Sequence, residues 1–398
     1  MRDIDFGNFN QAVSNINVLL DNLIRKRLSN NVFDKDKFLS ILKFSLFSED
    51  KNLRKVAVKL IRRLRLWDFG EYLKLLLNDP DATVRAVTIL ALAQMKDSDS
   101  FEKIKDLYFK DVNAVKIAAL MYFGVIENSE SRNMLLEALN TNNEDLKENA
   151  FQGLAWHTNY QDIDLIKDVI LKDIGNYNLV CKYIKSLSTV NNPALIVFLE
   201  DLILKREVND NIVLTSIYIL YLKNITKYLL LADSILIKYL KNSDDINKHY
   251  FLYEIASNIL WETKKINSSD QYKMSKLISD FSLYYKEREI KYIVRTIKNL
   301  NPVFHNLILK IMERNNLTID TKSEIMSFLV HKNVDKNLRV LMFEFLNDSD
   351  LYIRELALFN LLSINFTKSD LVYVEEYLYR YQELHLKLII LAIIYLNS

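Results

Sequence analysis

The stretch DPDATVRAVTILALA, residues 79–93, decides the fold because its pattern returns along the chain at a constant step. An apolar residue followed by a basic one opens a unit at positions 53, 84, 115 and 146, each 31 residues after the last. A small side chain stands four positions further on, and a bulky apolar one eight positions further on. The small residues are Ala57, Thr88, Ala119 and Ala150, and the bulky ones are Ile61, Leu92, Phe123 and Leu154. Those offsets share one helical face, so the pattern predicts stacked amphipathic helices.

The residues around each opening position predict a helix, a polar turn and a second helix. Asp50 and Asp81 stand where a helix N-cap is expected. A shorter amphipathic segment, residues 71–77, precedes the turn at residues 78–81. The chain has only 5 Gly and 3 Pro in 398 residues, where average usage gives roughly 28 and 20. Tight β-turns need those residues, so the composition indicates an all-α fold.

The turn and the helix after it resemble the HEAT-repeat family, in particular its compact bacterial form and lyase-type repeats. Residues 79–92 carry the resemblance, and residues 348–357, DSDLYIRELA, repeat it near the C-terminus with Ala357 and Leu361 at the same offsets. The resemblance implies a right-handed α-solenoid of roughly ten stacked antiparallel helix pairs. The step of 31 departs from the usual HEAT period of about 40–47 residues. Tetratricopeptide repeats are disfavoured because their tryptophan, glycine and proline marks are absent.

No linker or low-complexity tract divides the chain, so we expect one continuous solenoid in which each repeat contacts only its neighbours. Residues 1–34 are predicted to form an N-terminal capping helix, residues 35–225 regular repeats, residues 226–334 degenerate repeats and residues 335–398 C-terminal repeats. Within the degenerate part, residues 250–299 are rich in aromatic side chains. A drifted repeat is the preferred interpretation of that segment, ahead of a hinge or a binding segment.

The last predicted helix, residues 383–397, is apolar nearly all round. A terminal repeat normally has a polar outer face, so this helix should be covered. The preceding repeat, a second copy and a partner are the candidates, and burial within the chain with modest dimerisation is the expectation. Its apolar run, residues 388–396, is too short to span a bilayer. With no apolar signal segment at the start, a soluble cytoplasmic protein is expected.

Two basic patterns are candidates for function. The basic residue that recurs in each repeat is expected, from the resemblance, to bond the turn acid or carbonyls of an adjacent repeat. This structural ladder comprises Arg54, Arg85, Lys116, Lys147 and Arg354. The second pattern is the segment 51–65, where seven of fifteen residues are basic and none is acidic. All seven fall within half of a helical wheel, which suits acidic partners or phosphates.

We name Lys51, Lys55, Lys59, Arg62 and Arg63 of that segment the basic face and predict that it binds a partner. A solvated outer face is the alternative interpretation. The repeat allows a test, because a groove that tracked nucleic acid should stay basic 31 residues later. Instead Lys55, Lys59 and Arg62 are followed by Ala86, Leu90 and Ala93, and then by Ile117, Met121 and Gly124. A long duplex track is therefore disfavoured.

The sequence offers no catalytic constellation, no metal site and no cofactor motif. The five histidines are scattered, and Cys181 is interpreted as a small buried apolar residue. Glycosylases with HEAT-like folds need an aromatic and a carboxylate beside basic residues, and Trp156-His157 with Asp162 or Asp164 is the nearest candidate. Trp156 is better interpreted as a plug between repeats.

The prediction is a non-catalytic protein-binding scaffold or adaptor, with an acidic protein segment as the expected partner. A nucleic-acid-binding protein, including the glycosylase-like case, is the alternative. An accessory subunit of a protein-modifying lyase-type system is the third interpretation.

Overall fold

The computed structural model describes most of the chain. The described residues are 11, 13, 15–30, 32–156, 163–205, 207–228, 230–232, 234–235, 294, 306–313, 317–330 and 340–398. They form α-helices, short 3₁₀ turns and connecting loops, with no strand among them. The all-α prediction is confirmed for this part of the chain. The handedness of the stack and the number of helix pairs remain predictions.

The chain divides into two compact units. The first unit joins residues 1–157 to residues 361–398, and the second contains residues 158–360. The N-terminal segment of the first unit contains nine described helices, with 3₁₀ turns at Trp67–Phe69 and Leu76–Asn78. The helices are α1 (Ile16–Asn30), α2 (Lys35–Ser45), α3 (Lys51–Leu64), α4 (Gly70–Leu75), α5 (Ala82–Met95), α6 (Phe101–Lys110), α7 (Asn113–Val125), α8 (Ser129–Ala138) and α9 (Glu144–Trp156).

The helices that carry the repeat pattern stack in chain order. Helix α3 packs on α5, α5 on α7, and α7 on α9, while the shorter helices α4, α6 and α8 pack beside them. The small residues four positions into each pattern are fully buried, and the bulky residues eight positions in are 0–4% exposed. The two offsets therefore fill the layers between repeats, as their shared helical face predicts.

Aspartate and asparagine side chains begin several of these helices. The Asp50 carboxylate accepts the Asn52 amide proton at 2.8 Å, and Asp81 accepts those of Thr83 and Val84 at 2.8 and 3.3 Å. Asn143 does the same before α9. Each side chain thus satisfies amides that have no partner within the helix.

The C-terminal segment of the first unit packs on its N-terminal helices. Its helices are α18 (Lys368–Glu375), α19 (Tyr377–Arg380) and α20 (Leu384–Asn397), numbered after those of the second unit. Helix α20 packs on α3 and α2. The Phe38 and Tyr395 rings lie 5.2 Å apart, and Arg27 donates to Glu375 at 2.8 and 3.1 Å. The expectation that each repeat contacts only its neighbours in sequence is therefore wrong at the ends.

The same packing shows what covers the apolar C-terminal helix. All residues from Leu388 to Ile394 have an exposed fraction of 0% within the single chain. Helices α2, α3, α18 and α19 contact α20, so its own unit buries it. The expected burial of this helix within the chain is confirmed for residues 388–394, whereas Leu396 is 51% exposed. Dimerisation or partner docking through this helix stays a prediction.

The second unit contains eight described helices, with 3₁₀ turns at Leu187–Thr189 and Phe345–Asn347. Helix α11 packs on α13, and α12 packs on both α10 and α13, so helices stack within this unit as well. The aromatic-rich residues 250–293 and most of the degenerate part lie outside the described residues. The helices are α10 (Ile163–Lys172), α11 (Tyr177–Ser186), α12 (Pro193–Leu204), α13 (Asp210–Leu222), α14 (Asn306–Met312), α15 (Ile319–Leu329), α16 (Leu341–Glu344) and α17 (Leu351–Leu361), whose last residue belongs to the first unit.

Candidate interaction surface

The ladder arginines join consecutive repeats. Arg54 donates to both carboxylate oxygens of Asp79, with Nε–Oδ2 at 2.7 Å and Nη2–Oδ1 at 2.8 Å. Its Nη1 donates to the carbonyls of Ser48 and Glu49 at 2.8 and 2.9 Å. Arg54 lies on α3 and Asp79 lies in the turn before α5. These hydrogen bonds therefore join two consecutive repeats and fix the Arg54 side chain. Bidentate contacts between arginine and a carboxylate are among the stronger hydrogen bonds in proteins.

Arg85 makes the same contacts one repeat later. Its Nε and Nη2 donate to Asp111 at 2.7 Å each, and its Nη1 donates to the Asp79 and Pro80 carbonyls at 2.6 and 3.1 Å. The Arg85 hydrogen bond holds the pKa of Asp111 below its usual value, against the effect of burial. The Asp111 hydrogen bond likewise raises the pKa of Arg85. The first two ladder positions are therefore structural.

The other ladder residues differ from these two. Lys116 is half-buried and its charge helps to lower the pKa of Asp111. Asn142 stands 26 residues after Lys116, the separation that joins Arg85 to Asp111. Lys147 is half-buried on α9. In the second unit, Arg354 Nη1 donates to the Asp348 carbonyl at 3.0 Å, the same six-residue offset as in Arg54 and Arg85.

Sequence reasoning missed one position of the ladder. Lys322 on α15 donates to Asp348 at 2.7 Å, across 26 residues, the separation that joins Arg85 to Asp111. Asp348 and Asp79 also accept the amide proton of the aspartate two residues later, both at 2.9 Å. The opening residue here is Thr321, fully buried but polar, and this hid the repeat. The signal that marks Lys322 in the sequence is Asp348, an aspartate 26 residues later.

Helix α3 carries the whole basic face. Lys51 is exposed and pairs with Asp81 at 3.2 Å, and Arg63 is exposed and donates to the Ser363 hydroxyl. Lys55, Lys59 and Arg62 are half-buried. Burial, and next the adjacent charge of Arg63, lower the pKa of Arg62. The structure thus places five cations on one helix of the first unit, three of them partly withdrawn from water.

The residues considered for chemistry do not form a reactive site in the described part of the chain. Cys181 is fully buried, and burial raises its pKa to about 11, so the thiol is not poised as a nucleophile. No group of three or more histidine, cysteine or carboxylate side chains able to hold a metal ion lies among the described residues.

The glycosylase-like candidate lies only partly within the described residues. His157 and Asp162 lie outside them. Trp156 ends α9, where its ring lies within 2.9 Å of the position that a Cβ on Gly124 would take. The Trp156 ring thus lies against the neighbouring repeat, although the residue is 38% exposed. Asp164 has a side chain 91% exposed that pairs with Lys167 at 3.2 Å.

Comparison with known proteins gives no family. No protein-family model matches the chain, and no curated protein matches it significantly. The resemblance to HEAT repeats therefore remains an interpretation of the sequence. Among the described residues, no helix has both the length and the apolar content needed to cross a membrane.

Proposed function

We propose that this chain is a non-catalytic protein-binding scaffold of the cytoplasm, with the basic face of α3 as part of its binding surface. The main support is a difference on α3 between Arg54, which bonds to the next repeat, and the cations of the basic face. Arg54 is 8% exposed and bonded to Asp79 and two carbonyls. The basic face is additional to these contacts, and the following repeats have apolar residues at the positions of Lys55, Lys59 and Arg62. The cations at these three positions are therefore not part of the repeat pattern.

The electrostatics of the basic face favour an acidic partner. Arg62 is half-buried beside Arg63, and both effects disfavour its charged form. A carboxylate brought next to Arg62 would offset the repulsion from Arg63. Binding of an acidic segment therefore adds a favourable charge interaction that Arg62 does not have with Arg63. Such charge complementarity chiefly sets specificity and the rate of association.

The test compares capture by two charge-reversed proteins. The triple variant Lys55→Glu, Lys59→Glu, Arg62→Glu should lose the main protein that the wild-type chain captures from its native cells. A control triple at exposed lysines, Lys103→Glu, Lys110→Glu, Lys172→Glu, should retain it. Circular dichroism must show unchanged helix content in both variants. Equal capture by the two variants would remove the basic face from the proposal.

Nucleic-acid binding is the second candidate, and the same basic face would carry it. Each phosphate neutralised by lysine or arginine adds to a steep loss of affinity with salt. Nuclease treatment before capture separates the candidates. If only nucleic acid is recovered, with binding that falls steeply with salt and depends on Lys55, Lys59 and Arg62, the scaffold proposal is replaced.

A further inference from the structure

Three stacked helices of the first unit present side chains at matching repeat positions. The positions two and six residues after the opening residue are half-buried in all three, in contrast to the fully buried positions at four and eight. Because α3 packs on α5 and α5 on α7, we expect matching positions to lie side by side. We call these six residues the strip: Lys55 and Lys59 on α3, Ala86 and Leu90 on α5, and Ile117 and Met121 on α7.

The strip changes in character from one helix to the next. Its α3 end is cationic, and Arg62 and Arg63 extend the positive charge along the same helix. Its α5 and α7 parts are apolar and still reach the surface. The adjacent Ile89 and Leu120 are fully buried on the same helices, whereas Leu90, Ile117 and Met121 are only half-buried. Water contact with Leu90, Ile117 and Met121 is unfavourable and is removed when an apolar group covers them.

We infer that the strip docks a short segment of another protein in which apolar residues stand beside acidic ones. The apolar residues would pack on Leu90, Ile117 and Met121, and the acidic residues would pair with Lys59 and Arg62. This inference rests on the proposed scaffold function and names the class of its partner. Met121 suits such a role because a methionine side chain adapts its shape to what it contacts.

Helix packing sets the length of the docked segment. Packed helices lie about 8–10 Å apart, so the strip runs about 16–20 Å from α3 to α7. An extended chain advances about 3.3 Å per residue, so five or six residues cover it. The acidic and apolar residues of the segment should therefore stand within about six positions of one another if it is extended. A nucleic acid fits this surface less well, because α5 and α7 offer no cation within the strip.

The test uses a displayed library of random 12-residue peptides selected on the full-length protein. Enriched peptides should combine acidic and apolar residues, and a labelled one should bind the purified protein in a fluorescence anisotropy titration. Leu90→Gln, Met121→Gln and Arg62→Gln should each raise its Kd about tenfold or more. Leu75→Gln and Lys103→Gln are matched controls at exposed positions outside the strip, and should leave the Kd within about twofold of wild type.

Conservative variants separate loss of contact from loss of fold. Leu90→Met and Arg62→Lys should bind nearly as well as wild type, and all variants should keep the wild-type helix content and thermal midpoint. If the peptides are acidic only, and Arg62→Gln weakens them while Leu90→Gln does not, the apolar part of the inference fails and the scaffold proposal stands. If no peptide is enriched, or none responds to these variants, the docking inference is overturned. If an oligonucleotide displaces the peptide, and its binding is weakened by Arg62→Gln but not by Leu90→Gln or Met121→Gln, the nucleic-acid candidate is favoured instead.

Discussion

Arg54 holds three segments of chain together through one guanidinium. Two of its nitrogens bind Asp79 in the next turn, and the third binds the carbonyls of Ser48 and Glu49 in its own turn. The planar fork of arginine matches this arrangement, whereas the ammonium of lysine is a point charge. Asp79 is nearly inaccessible, with a side chain 2% exposed. Loss of Arg54 would leave that carboxylate buried without its cation, which is a costly state.

We predict that Arg54→Ala lowers the free energy of unfolding of the first unit by about 3 kcal/mol. Arg54→Lys should lower it by about half as much, because one charge remains while the paired hydrogen bonds are lost. Urea unfolding followed by circular dichroism measures both. Lys103→Ala, an exposed control on α6, should change it by less than about 0.5 kcal/mol. A cost for Arg54→Ala as small as that of the control would show that the ladder does not stabilise the stack.

The Arg85–Asp111 pair predicts a pH dependence. Because the pKa of Asp111 is lowered in the folded protein, its contribution to stability is present above the unfolded pKa of about 3.9. That contribution is lost as the pH falls from there through the lower folded value. Asp111→Asn should therefore cost about 2 kcal/mol at pH 7, and the difference from wild type should narrow below about pH 4.

The control for this prediction is Asp164→Asn. The Asp164 side chain is 91% exposed and its pair with Lys167 lies on the surface, so its loss should matter little at any pH. Urea unfolding at pH 7, 5, 4 and 3 gives the comparison. A constant difference between wild type and Asp111→Asn across these values would contradict the role assigned to the carboxylate.

At the level of residues, the sequence predicts the contacts of residues that follow the repeat pattern and misses those of residues that depart from it. Arg54 and Arg85 follow an apolar residue, so the pattern revealed them. Lys322 follows the polar Thr321 and so falls outside that pattern, although it donates to Asp348 as Arg85 donates to Asp111. The burial of Arg62 could not be predicted either, because its exposure depends on the helices packed around α3 and not on the helical wheel alone.

At the scale of helices, two glycines set how closely α7 and α9 approach. A Cβ placed on Gly124 would lie 2.7 Å from the Gly153 Cα and 2.9 Å from the Trp156 Cε3. A Cβ placed on Gly153 would lie 2.7 Å from Leu135 Cδ2, the end of a flexible side chain, and 3.2 Å from the Gly124 Cα. Only the first contact meets backbone at clashing distance, so the two glycines are not equivalent.

Gly124→Ala should therefore destabilise the first unit by about 1–3 kcal/mol, despite the better helix propensity of alanine. Gly153→Ala should cost less, because Leu135 can move aside. Gly175→Ala is the control, since a Cβ there has no atom within 4 Å, and it should be neutral or slightly stabilising. Thermal unfolding of the three variants gives the order. A smaller cost for Gly124→Ala than for Gly153→Ala would contradict the assigned backbone contact.

At the scale of the first unit, the end of the chain covers its beginning. Helix α20 contains Leu386-Lys387, an apolar–basic pair like those that open the repeats, and it packs on α3 as α3 packs on α5. Helix α20 thereby covers part of α3, so a polar cap is not needed where the two helices meet. The repeat pattern could not predict this contact. Every repeat carries the same pattern of small and bulky residues. The pattern therefore shows that α20 can stack on a repeat, but it does not show on which one.

This closure can be tested by removing α20. Truncation after Gln382 should expose the apolar side of α3 and accelerate amide hydrogen exchange in α2 and α3, because both helices pack on α20. The matched control is Leu396→Asp, which alters an α20 residue that is 51% exposed and should leave exchange in α2 and α3 unchanged. Arg27→Ala, which breaks the pair with Glu375 without removing α20, should give an intermediate effect. If α3 keeps its full protection after truncation, the packing of α20 adds nothing to its stability, and the unit is an open stack in energetic terms.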